Sequence, residues 1–363
     1  MNITLKKISY QELKDSSYPQ YEDKYGIASY LSESALKALS ACPGNLDDKK
    51  TALVLMLDDN VIIGRETRYG TRVMIGDEVK YAQSGGGLEV YETYRKDGLG
   101  AEIMLENVMS KEYELKLGSF FSSMMIPMLK KLKFTIIEIP QFLKLNNARY
   151  VFESFGMKGL LLRLVSSVAN FGLRILNIKN KVRYNKLKKK FDIKKVTTIP
   201  AWVEDMAVND GHKYRELHDQ KWFQWNLDYN LHGLPDDIQS FYTVYDKNGN
   251  PQGFFMTKER FEEEAGKWKN IIRGVIVEWG SADENVLSEA DLNLMAVYSF
   301  TSKVFHITSV SISEETGRQL RKMGFKPHGT HQMSFREKGG KQTEANNPDL
   351  WRLRYGCCNS TLY

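Results

Sequence analysis

Cysteine, long uncharged apolar runs and metal-ligand clusters are scarce in this sequence. Its 363 residues include three cysteines, Cys42, Cys357 and Cys358, an odd number without zinc-type spacing, which predicts reduced thiols and no disulfide scaffold. The first residues lack the apolar core of a secretory signal, and no run of about 18 apolar residues is free of charge, so we expect a cytoplasmic protein. His328 and His331 would point to opposite faces of a strand, so no metal site is predicted.

Charge is present but unevenly distributed. The net charge is +6, yet residues 174–195 hold ten Lys or Arg against the single acid Asp192, a local charge of +9 that leaves −3 for the rest. Because the basic character belongs to one segment, nucleic acid is disfavoured as a partner. The segment offers a contact for an anionic membrane surface, which would make the protein peripheral to the inner face of the membrane.

The order of predicted elements indicates a mixed α/β sheet. Two short helical pieces precede a hairpin over residues 51–70, followed by a strand, a glycine-bearing loop, a helix, a short strand, a helix and a strand ending near Pro140. Residues 240–335 repeat much of this order at a spacing of roughly 170 residues. The repeat predicts two copies of one fold, joined by an amphipathic helix with an apolar stripe from Leu161 to Ile178.

The stretch Tyr94–Met104, "YRKDGLGAEIM", places Gly98 and Gly100 between a strand-like and a helix-like run. Glycines at a helix N-terminus expose backbone amides where the helix dipole favours an anion, so the loop suits a phosphate, although glycines also form ordinary turns. The three-glycine dinucleotide-binding pattern is missing, and no Gly-Lys-Ser/Thr follows, which excludes a Walker loop.

Residues 88–101 resemble the acyl-CoA-binding signature of the GCN5-related N-acetyltransferases, R/Q-x-x-G-x-G/A after the fourth strand. The resemblance extends over the element order of residues 51–139, and "LRKMGF", Leu320–Phe325, resembles the Gly-Phe ending of a helix of that family. It implies an α/β fold of two tandem acyl-CoA N-acyltransferase-like domains. We divide the chain into a first domain (residues 1–158), a basic amphipathic connection (159–199) and a second, diverged domain (200–363).

The resemblance also implies how acetyl-CoA or another acyl-CoA would bind as co-substrate. The sheet would splay between its fourth and fifth strands, the backbone of Leu88 and Val90 would bond the pantetheine arm, and amides from Lys96 to Ala101 would hold the diphosphate. Ser122 and Ser123 are further candidate contacts, although either could simply cap a helix. The candidate coenzyme-binding set is Leu88, Val90, Arg95, Lys96, Asp97, Gly98, Leu99, Gly100, Ala101, Ser122 and Ser123.

The catalytic groups are less clearly marked. Many members of the family protonate the leaving thiolate with a tyrosine, but Leu129 stands at that position and Lys133 replaces the usual glycine. Glu89 is the candidate base, unless it is a solvent-facing strand carboxylate. Tyr91 and Tyr94 are the other candidates near the coenzyme, although a structural role is favoured for both. In the second domain, Asp283 and Glu284 would repel a phosphate, so that domain is expected to shape the acceptor site.

The predicted activity is an N-acetyltransferase acting on a primary amine, such as an amino sugar or a peptide amine. One alternative is a Fem-like transferase that takes its acyl group from aminoacyl-tRNA, for which the +9 segment could hold RNA. Another is a non-catalytic scaffold or membrane-surface protein. For the connection we favour a buried inter-domain helix with a solvated basic end over a helix on an anionic membrane.

Overall fold

The first half of the chain folds into a sheet with helices on both faces. The computed structural model describes residues 2–27, 33–119, 121, 125–208, 211–229, 237–338 and 344–358. The elements of the first half are β1 (Ile3–Ser9), α1 (Tyr10–Lys14), α2 (Glu33–Ser40), β2 (Thr51–Asp58), β3 (Val61–Ile75), β4 (Glu78–Val90), α3 (Leu99–Met109), β5 (Leu115–Ser119), α4 (Met125–Lys131) and β6 (Thr135–Leu145).

Local sequence signals account for several of these boundaries. The Ser9 hydroxyl accepts the Glu12 amide at 3.2 Å while the Glu12 carboxylate accepts the Ser9 amide at 2.8 Å, a capping box that starts α1. Between β2 and β3, Asp59 adopts a φ of 54° in the two-residue Asp59-Asn60 turn. The predicted hairpin is therefore confirmed.

Two helices and a strand follow where one connecting helix was expected. After α5 (Arg149–Ser154), the chain forms α6 (Gly159–Leu176) and α7 (Ile178–Lys190), which meet at Asn177. The next residues form β7 (Phe191–Val196), which pairs antiparallel with the second-half strand at residues 238–246. The end of the expected connection thus belongs to the sheet.

The second half repeats the element order of the first. Its strands begin nearer 190 than 170 residues after their counterparts, as Thr135 and Lys326 illustrate. The division at residues 158 and 199 stays a prediction. The remaining elements are α8 (Trp202–Val208), β8 (Tyr214–Glu216), α9 (Gln220–Asp228), β9 (Ile238–Asp246), β10 (Pro251–Ala265), β11 (Trp268–Ser281), α10 (Glu289–Val297), β12 (His306–Val310), α11 (Glu314–Lys322), β13 (Lys326–Glu337) and β14 (Trp351–Arg352).

The two halves exchange their last strands. β13, from the second half, pairs with β5, and β6, from the first half, pairs with β12, while β13 and β6 lie side by side. The described strands therefore form one continuous sheet, ordered β1-β2-β3-β4-β5-β13-β6-β12-β11-β10-β9-β7. Each half completes its sheet with a strand of the other, so neither half is expected to be stable without its partner.

β6 does not end near Pro140, as the sequence analysis expected, but continues to Leu145. A proline lacks the amide that a central strand donates to its neighbour, which is why it usually limits a strand. Here Pro140 lies opposite Thr330, where the pairing of β13 is interrupted, and its carbonyl still accepts the Ser311 amide at 3.1 Å. The irregularity in the neighbouring strand accommodates the missing donor.

The last described segment, residues 344–358, passes between the two halves. Trp351 of β14 stacks on Tyr214 of β8 at 4.9 Å between ring centroids, and the Gly356 amide donates to the Val277 carbonyl at 3.1 Å. The indole of Trp225 on α9 donates to the Ala38 carbonyl at 2.9 Å, so this residue joins the two halves. The largest hydrophobic core contains residues of both halves.

Candidate functional site

A cleft opens in the first half where β4 and β5 diverge. The two parallel strands pair only from Ala82 to Ser84 on the β4 side, and a cavity of about 430 Å³ lies beyond the last pair. The predicted splay is present. Apolar side chains dominate its lining, which is typical of a small-molecule site: Leu88, Met104, Val108, Leu117, Phe121, Met125, Leu129 and Phe134.

Three successive glycines shape the β4 side of this cleft. Gly87 has a φ of 59° and lies in a β-bulge, since Arg65 faces Glu89 while Thr67 faces Gly86. A Cβ on Gly85 would lie 2.9 Å from Oε1 of Glu66. The bulge turns β4 away from β5, and the missing side chains keep the resulting gap open.

The strand end turns its backbone toward the gap. Val90 lies opposite Gly64, while the Tyr91 amide donates to the Ile63 carbonyl at 2.8 Å. Because successive residues of an antiparallel strand direct their amides to opposite sides, the N–H and C=O of Val90 face away from β3. The Val90 carbonyl accepts Nε of Arg95 at 2.7 Å, which directs this side chain back to the strand.

The glycine loop leads directly into α3. A 3-10 turn over Glu92–Asp97, which carries the exposed Lys96 and Asp97, ends at Gly98 with a φ of 75°. The Ala101 amide donates to the Gly98 carbonyl at 2.9 Å, whereas those of Leu99 and Gly100 donate to no other group among the described residues. At the N-terminus of α3, the amides of Leu99 and Gly100 are therefore the members of the predicted anion site that could donate to a phosphate. Ser122 and Ser123 lie outside the described residues.

Glu89 lies at the end of β4 and Tyr91 directly follows the strand, but neither residue lines the cavity of the cleft. The Glu89 carboxylate is 3.3 Å from Nη2 of Arg65, and its side chain is 34% exposed. Tyr91 stacks on Tyr25 at 4.0 Å between ring centroids. The neighbouring Tyr94 hydroxyl donates to Asp58 at 3.0 Å, and this bond, with burial, raises the pKa of Tyr94 to about 12. Tyr94 is therefore a poor proton donor for the cleft.

The cleft is also lined by a cluster of polar side chains that was not predicted from the sequence. Glu66 accepts Nδ2 of Asn107 at 2.7 Å and Nε of Arg68 at 2.9 Å, and burial raises the pKa of its carboxyl. Lys116 donates to Gln83 at 2.7 Å, and burial, reinforced by the positive charge of Arg68, lowers its pKa to about 8. The alternation of Glu66 and Arg68 on β3 was the available signal, because residues two apart share a strand face.

The C-terminal segment reaches the same cleft. The Cys358 carbonyl accepts the Ser84 hydroxyl at 3.1 Å, and the Cys358 amide donates to the Glu216 carboxylate at 2.6 Å. Burial raises the pKa of the Cys358 thiol well above its ordinary value, so the thiol is neutral and not an activated nucleophile. Among the described residues, no group of three or more His, Cys, Asp or Glu side chains could hold a metal ion.

Comparison with known proteins rests on structure alone. Neither a protein-family model nor a curated protein matches the sequence. The chain is similar to a conserved Enterococcus faecalis protein described as a probable N-acyltransferase, at 13% identity over 93% of this chain and 73% of that one, with a TM-score of 0.53. It is similar to Saccharomyces cerevisiae N-myristoyltransferase with bound myristoyl-CoA, at 9% identity over 92% and 78%, with a TM-score of 0.58.

A GCN5-related N-acetyltransferase from Anabaena variabilis gives 8% identity over 93% of this chain and 73% of that one, with a TM-score of 0.53. The chain has the N-acyltransferase fold. The similarity covers both halves, which confirms the expected fold of two tandem N-acyltransferase-like units in a mixed α/β structure. At these identities it establishes the fold and not the acyl group or the acceptor.

The second unit of the N-acyltransferase fold has its corresponding cleft filled. β11 and β12 pair from Arg273 to Val275 on the β11 side and then separate, but the following residues are Ile276, Val277 and Glu278 in place of three glycines. The Arg352 guanidinium enters there and donates to Glu278 and to the Trp279 carbonyl, both at 3.0 Å. Side chains therefore occupy the space that is open in the first unit.

Buried charges in the filled cleft neutralise one another. Burial raises the pKa of the Glu278 carboxyl, but Arg352 and His218 outweigh it, so the pKa is lowered overall. Nδ1 of His218 is 2.6 Å from Glu278, and although burial lowers the pKa of this imidazole, the carboxylates of Glu216 and Glu278 raise it overall. Glu289, on α10, pairs with Arg354.

The helix that follows the filled cleft also lacks an anion site. The Ser288 hydroxyl accepts the Asp291 amide at 3.2 Å, and Glu289 and Asp291 place negative charge in the first turn of α10. In contrast, α3 begins at Gly98 without a side-chain cap. A phosphate group would thus meet free amides at α3 and repulsive carboxylates at α10.

Proposed function

We propose that the protein is an acyl-CoA-dependent N-acyltransferase that transfers an acetyl group from acetyl-CoA to a primary amine. The observation that carries this proposal is the open cleft between β4 and β5, which Met104, Asn107 and Val108 of α3 line on one side; the glycine loop leads into the N-terminus of the same helix. In this proposal the first half binds the coenzyme, and the second half shapes the acceptor site. An amino sugar or a peptide amine is the proposed acceptor.

The proposed coenzyme contacts follow the geometry of the cleft. The amides of Leu99 and Gly100 would hold the diphosphate, and the backbone of Leu88 and Val90, on the gap side of β4, would bond the pantetheine arm. The thioester would then enter the apolar part of the cleft, where Leu129 is 2% exposed. Leu129 has no group that can donate or accept a proton, so other residues must carry out the proton transfers.

Amide formation requires two proton transfers. The amine nitrogen attacks the thioester carbonyl carbon, the tetrahedral intermediate collapses with cleavage of the C–S bond, the nitrogen loses a proton and the departing thiolate gains one. We assign the first transfer to Glu89, the carboxylate at the end of β4, directly or through a water. Tyr91, two residues later, is the candidate donor for the thiolate.

The alternative acyl donor, an aminoacyl-tRNA, has weaker support. Its expected binding surface, the basic segment, lies largely on α7, beside an exposed apolar face of α6. An RNA backbone would be expected to contact a continuous polar surface. If no acyl-CoA binds, the alternative of a scaffold protein without catalytic activity is favoured.

Thermal shift measurements test the proposal. A ligand that binds only the folded protein raises its melting temperature, so millimolar acetyl-CoA should stabilise the wild-type chain, and the double variant Gly98→Glu with Gly100→Glu should abolish the effect. Gly249→Glu with Gly266→Glu is the matched control, because these glycines, like Gly98, have a positive φ and lie in hairpin turns of the second half. An unshifted wild-type melt, or loss of the shift in the control, contradicts the proposal.

The acyl group and the acceptor need a second measurement. Free-thiol release is followed with acetyl-CoA and a panel of amino sugars, peptides and polyamines. A long-chain ester is included because the structure of the yeast enzyme holds myristoyl-CoA. Thiol release that requires both an acetyl ester and a primary amine supports the full proposal, and exclusive use of the long-chain ester would overturn its acetyl specificity.

A further inference from the structure

One face of α6 exposes a continuous row of large apolar side chains. Leu164 is 58% exposed, Val168 73% and Phe171 63%, although these side chains would each gain from burial. This contradicts the favoured expectation of a buried inter-domain helix. We name the α6 apolar face by its six members: Leu160, Leu161, Leu164, Val168, Phe171 and Ile175.

The opposite face of α6 is attached to the body of the protein. Leu162 and Ser166 are buried, and the side-chain Oδ1 of Asn170 accepts the Ala148 amide at 2.8 Å. Asn177, at the end of the helix, accepts Nζ of Lys144. At 100° per residue these anchors lie on one side of the helix, so its orientation on the protein is set and the apolar face points outward.

The two helices themselves carry positive charge and no acid, although Arg183 of α7 pairs with Asp291 of α10. From Gly159 to Lys190 the sequence holds nine Lys or Arg and neither Asp nor Glu. Arg163 and Arg174 are exposed on α6, and α7 ends in the exposed run Lys188–Lys190. An apolar row with cations beside it has the charge of a surface that binds anionic lipid.

We propose that α6 and α7 adsorb the protein to an anionic phospholipid membrane, with the α6 apolar face in the headgroup and acyl-chain boundary. The side chains of that face would enter the membrane while the cations of α7 contact lipid phosphates. This proposal is independent of the acyl transfer proposed above. It commits to a lipid surface because a second copy of this chain would bring two basic segments together.

Adsorption fits α6 better than spanning. Gly159–Leu176 has a mean hydropathy of 1.4 and is about 27 Å long at 1.5 Å per residue, so length and composition alone would allow it to cross a bilayer. However, Asn170 and Asn177 hold one side of the helix to the protein body, and Arg163 and Arg174 interrupt its length. A helix held in this way presents a single face to lipid.

Vesicle flotation of the full-length protein tests the proposal. Vesicles of phosphatidylcholine with about 30% phosphatidylglycerol should bind the protein about tenfold more strongly than phosphatidylcholine alone, because each cation near an anionic surface contributes. Raising the salt from about 0.1 M to about 0.5 M should release it, since screening shortens the reach of the charges. Equal binding to both vesicle types, or no binding to either, overturns the proposal.

Paired variants separate the apolar and ionic contributions. Leu164→Gln with Val168→Gln and Phe171→Gln should weaken binding at least about tenfold. The control, Leu46→Gln with Ile238→Gln and Val286→Gln, changes three apolar residues that are 40–44% exposed elsewhere, and should bind as the wild type does. Lys179→Ser with Lys186→Ser and Lys189→Ser should weaken binding to anionic vesicles only.

The remaining outcomes contradict adsorption. Flotation that survives the α6 triple variant would place the contact elsewhere. A dimer seen by light scattering, converted to monomer by that variant and unable to float, would identify a second chain as the occupant of the face. The α6 triple variant should also retain the acetyl-CoA thermal shift, which distinguishes loss of adsorption from loss of the coenzyme site or of the fold.

Discussion

The two clefts of this molecule have the same strand geometry and opposite contents. β4 leaves β5 after Ser84 as β11 leaves β12 after Val275, each after three paired residues. Three glycines follow in the first half and the gap stays open. In the second half Ile276 and Val277 are fully buried, and Arg352 enters the gap. Side-chain volume, and not strand topology, therefore decides which cleft can receive a ligand.

The comparison also shows how one repeat can support the other. The C-terminal segment fills the second cleft with Arg352 and then reaches the first, where Cys358 bonds Ser84. Together with the exchange of β6 and β13, this segment connects the open cleft to the second half, whose own cleft is filled. A site built on a well-packed scaffold can keep an open cavity without collapsing.

The largest expected effect comes from emptying the filled cleft. Arg352→Ala leaves the fully buried Glu278 without its strongest positive partner, which should lower the free energy of unfolding by about 3 to 5 kcal/mol. Arg318→Ala, which removes an exposed pair with Glu315, should cost below about 1 kcal/mol. Urea unfolding measures both, and similar midpoints would show that the buried network is not what holds the second cleft closed.

The next effect concerns chemistry at the open cleft. Glu89→Gln keeps the shape of the residue but removes the proposed base, so turnover should fall by about a hundredfold while the acetyl-CoA thermal shift is unchanged. Glu78→Gln makes the same change at the far end of β4, where the side chain is 71% exposed, and should leave turnover intact. Unchanged turnover in Glu89→Gln would remove this residue from the mechanism.

A smaller effect tests the glycines that keep the first cleft open. In Gly85→Ala the new methyl would lie 2.9 Å from Glu66 and 3.0 Å from Asn107, so we expect a loss of about 1 to 3 kcal/mol and weaker acyl-CoA binding. Gly100→Ala meets only Val90 at 3.8 Å and should be tolerated. Calorimetry with and without acetyl-CoA compares the variants, and equal losses would contradict the assigned role of Gly85.

The smallest effect is a difference in pH dependence between the clefts. The pKa of Lys116 is lowered from 10.5 to about 8, so its burial is unfavourable below pH 8 and this cost disappears as the pH rises toward 10.5. His218 has a raised pKa, so its contribution is complete below pH 6.5 and is lost as the pH rises through the raised value.

The contributions of Lys116 and His218 to stability change with pH in opposite directions, and mutation of each residue separates them. Raising the pH should stabilise the wild type relative to Lys116→Met and destabilise it relative to His218→Gln, each by at most about 1.4 kcal/mol per pH unit. Chemical unfolding from neutral to alkaline pH measures the slopes. If both variants kept the wild-type profile, neither buried group would titrate as assigned.

The site residues fall into two groups by how visible they are in the sequence. Gly98 could be predicted because a positive φ after a strand and before a helix requires glycine. The alternation of Glu66 and Arg68 marks a shared strand face, but the meeting of Glu66, Lys116 and Cys358 at the cleft could not be predicted. It depends on which strands pair and on a segment more than 250 residues away. Ranges such as β4 and α3 follow local periodicity, whereas the course of β6 past Pro140 depends on an irregularity in β13.

The sequence by itself determined most of the order of helices and strands outside the connection, the duplication, the glycine loop and the basic segment, since each is encoded in local spacing, backbone preference or charge. The tertiary structure alone decided the exchange of β6 and β13, the filling of the second cleft by Arg352 and the outward orientation of the α6 apolar face. The physical reason is that burial is a property of contacts between distant segments, and a local pattern does not specify its partner.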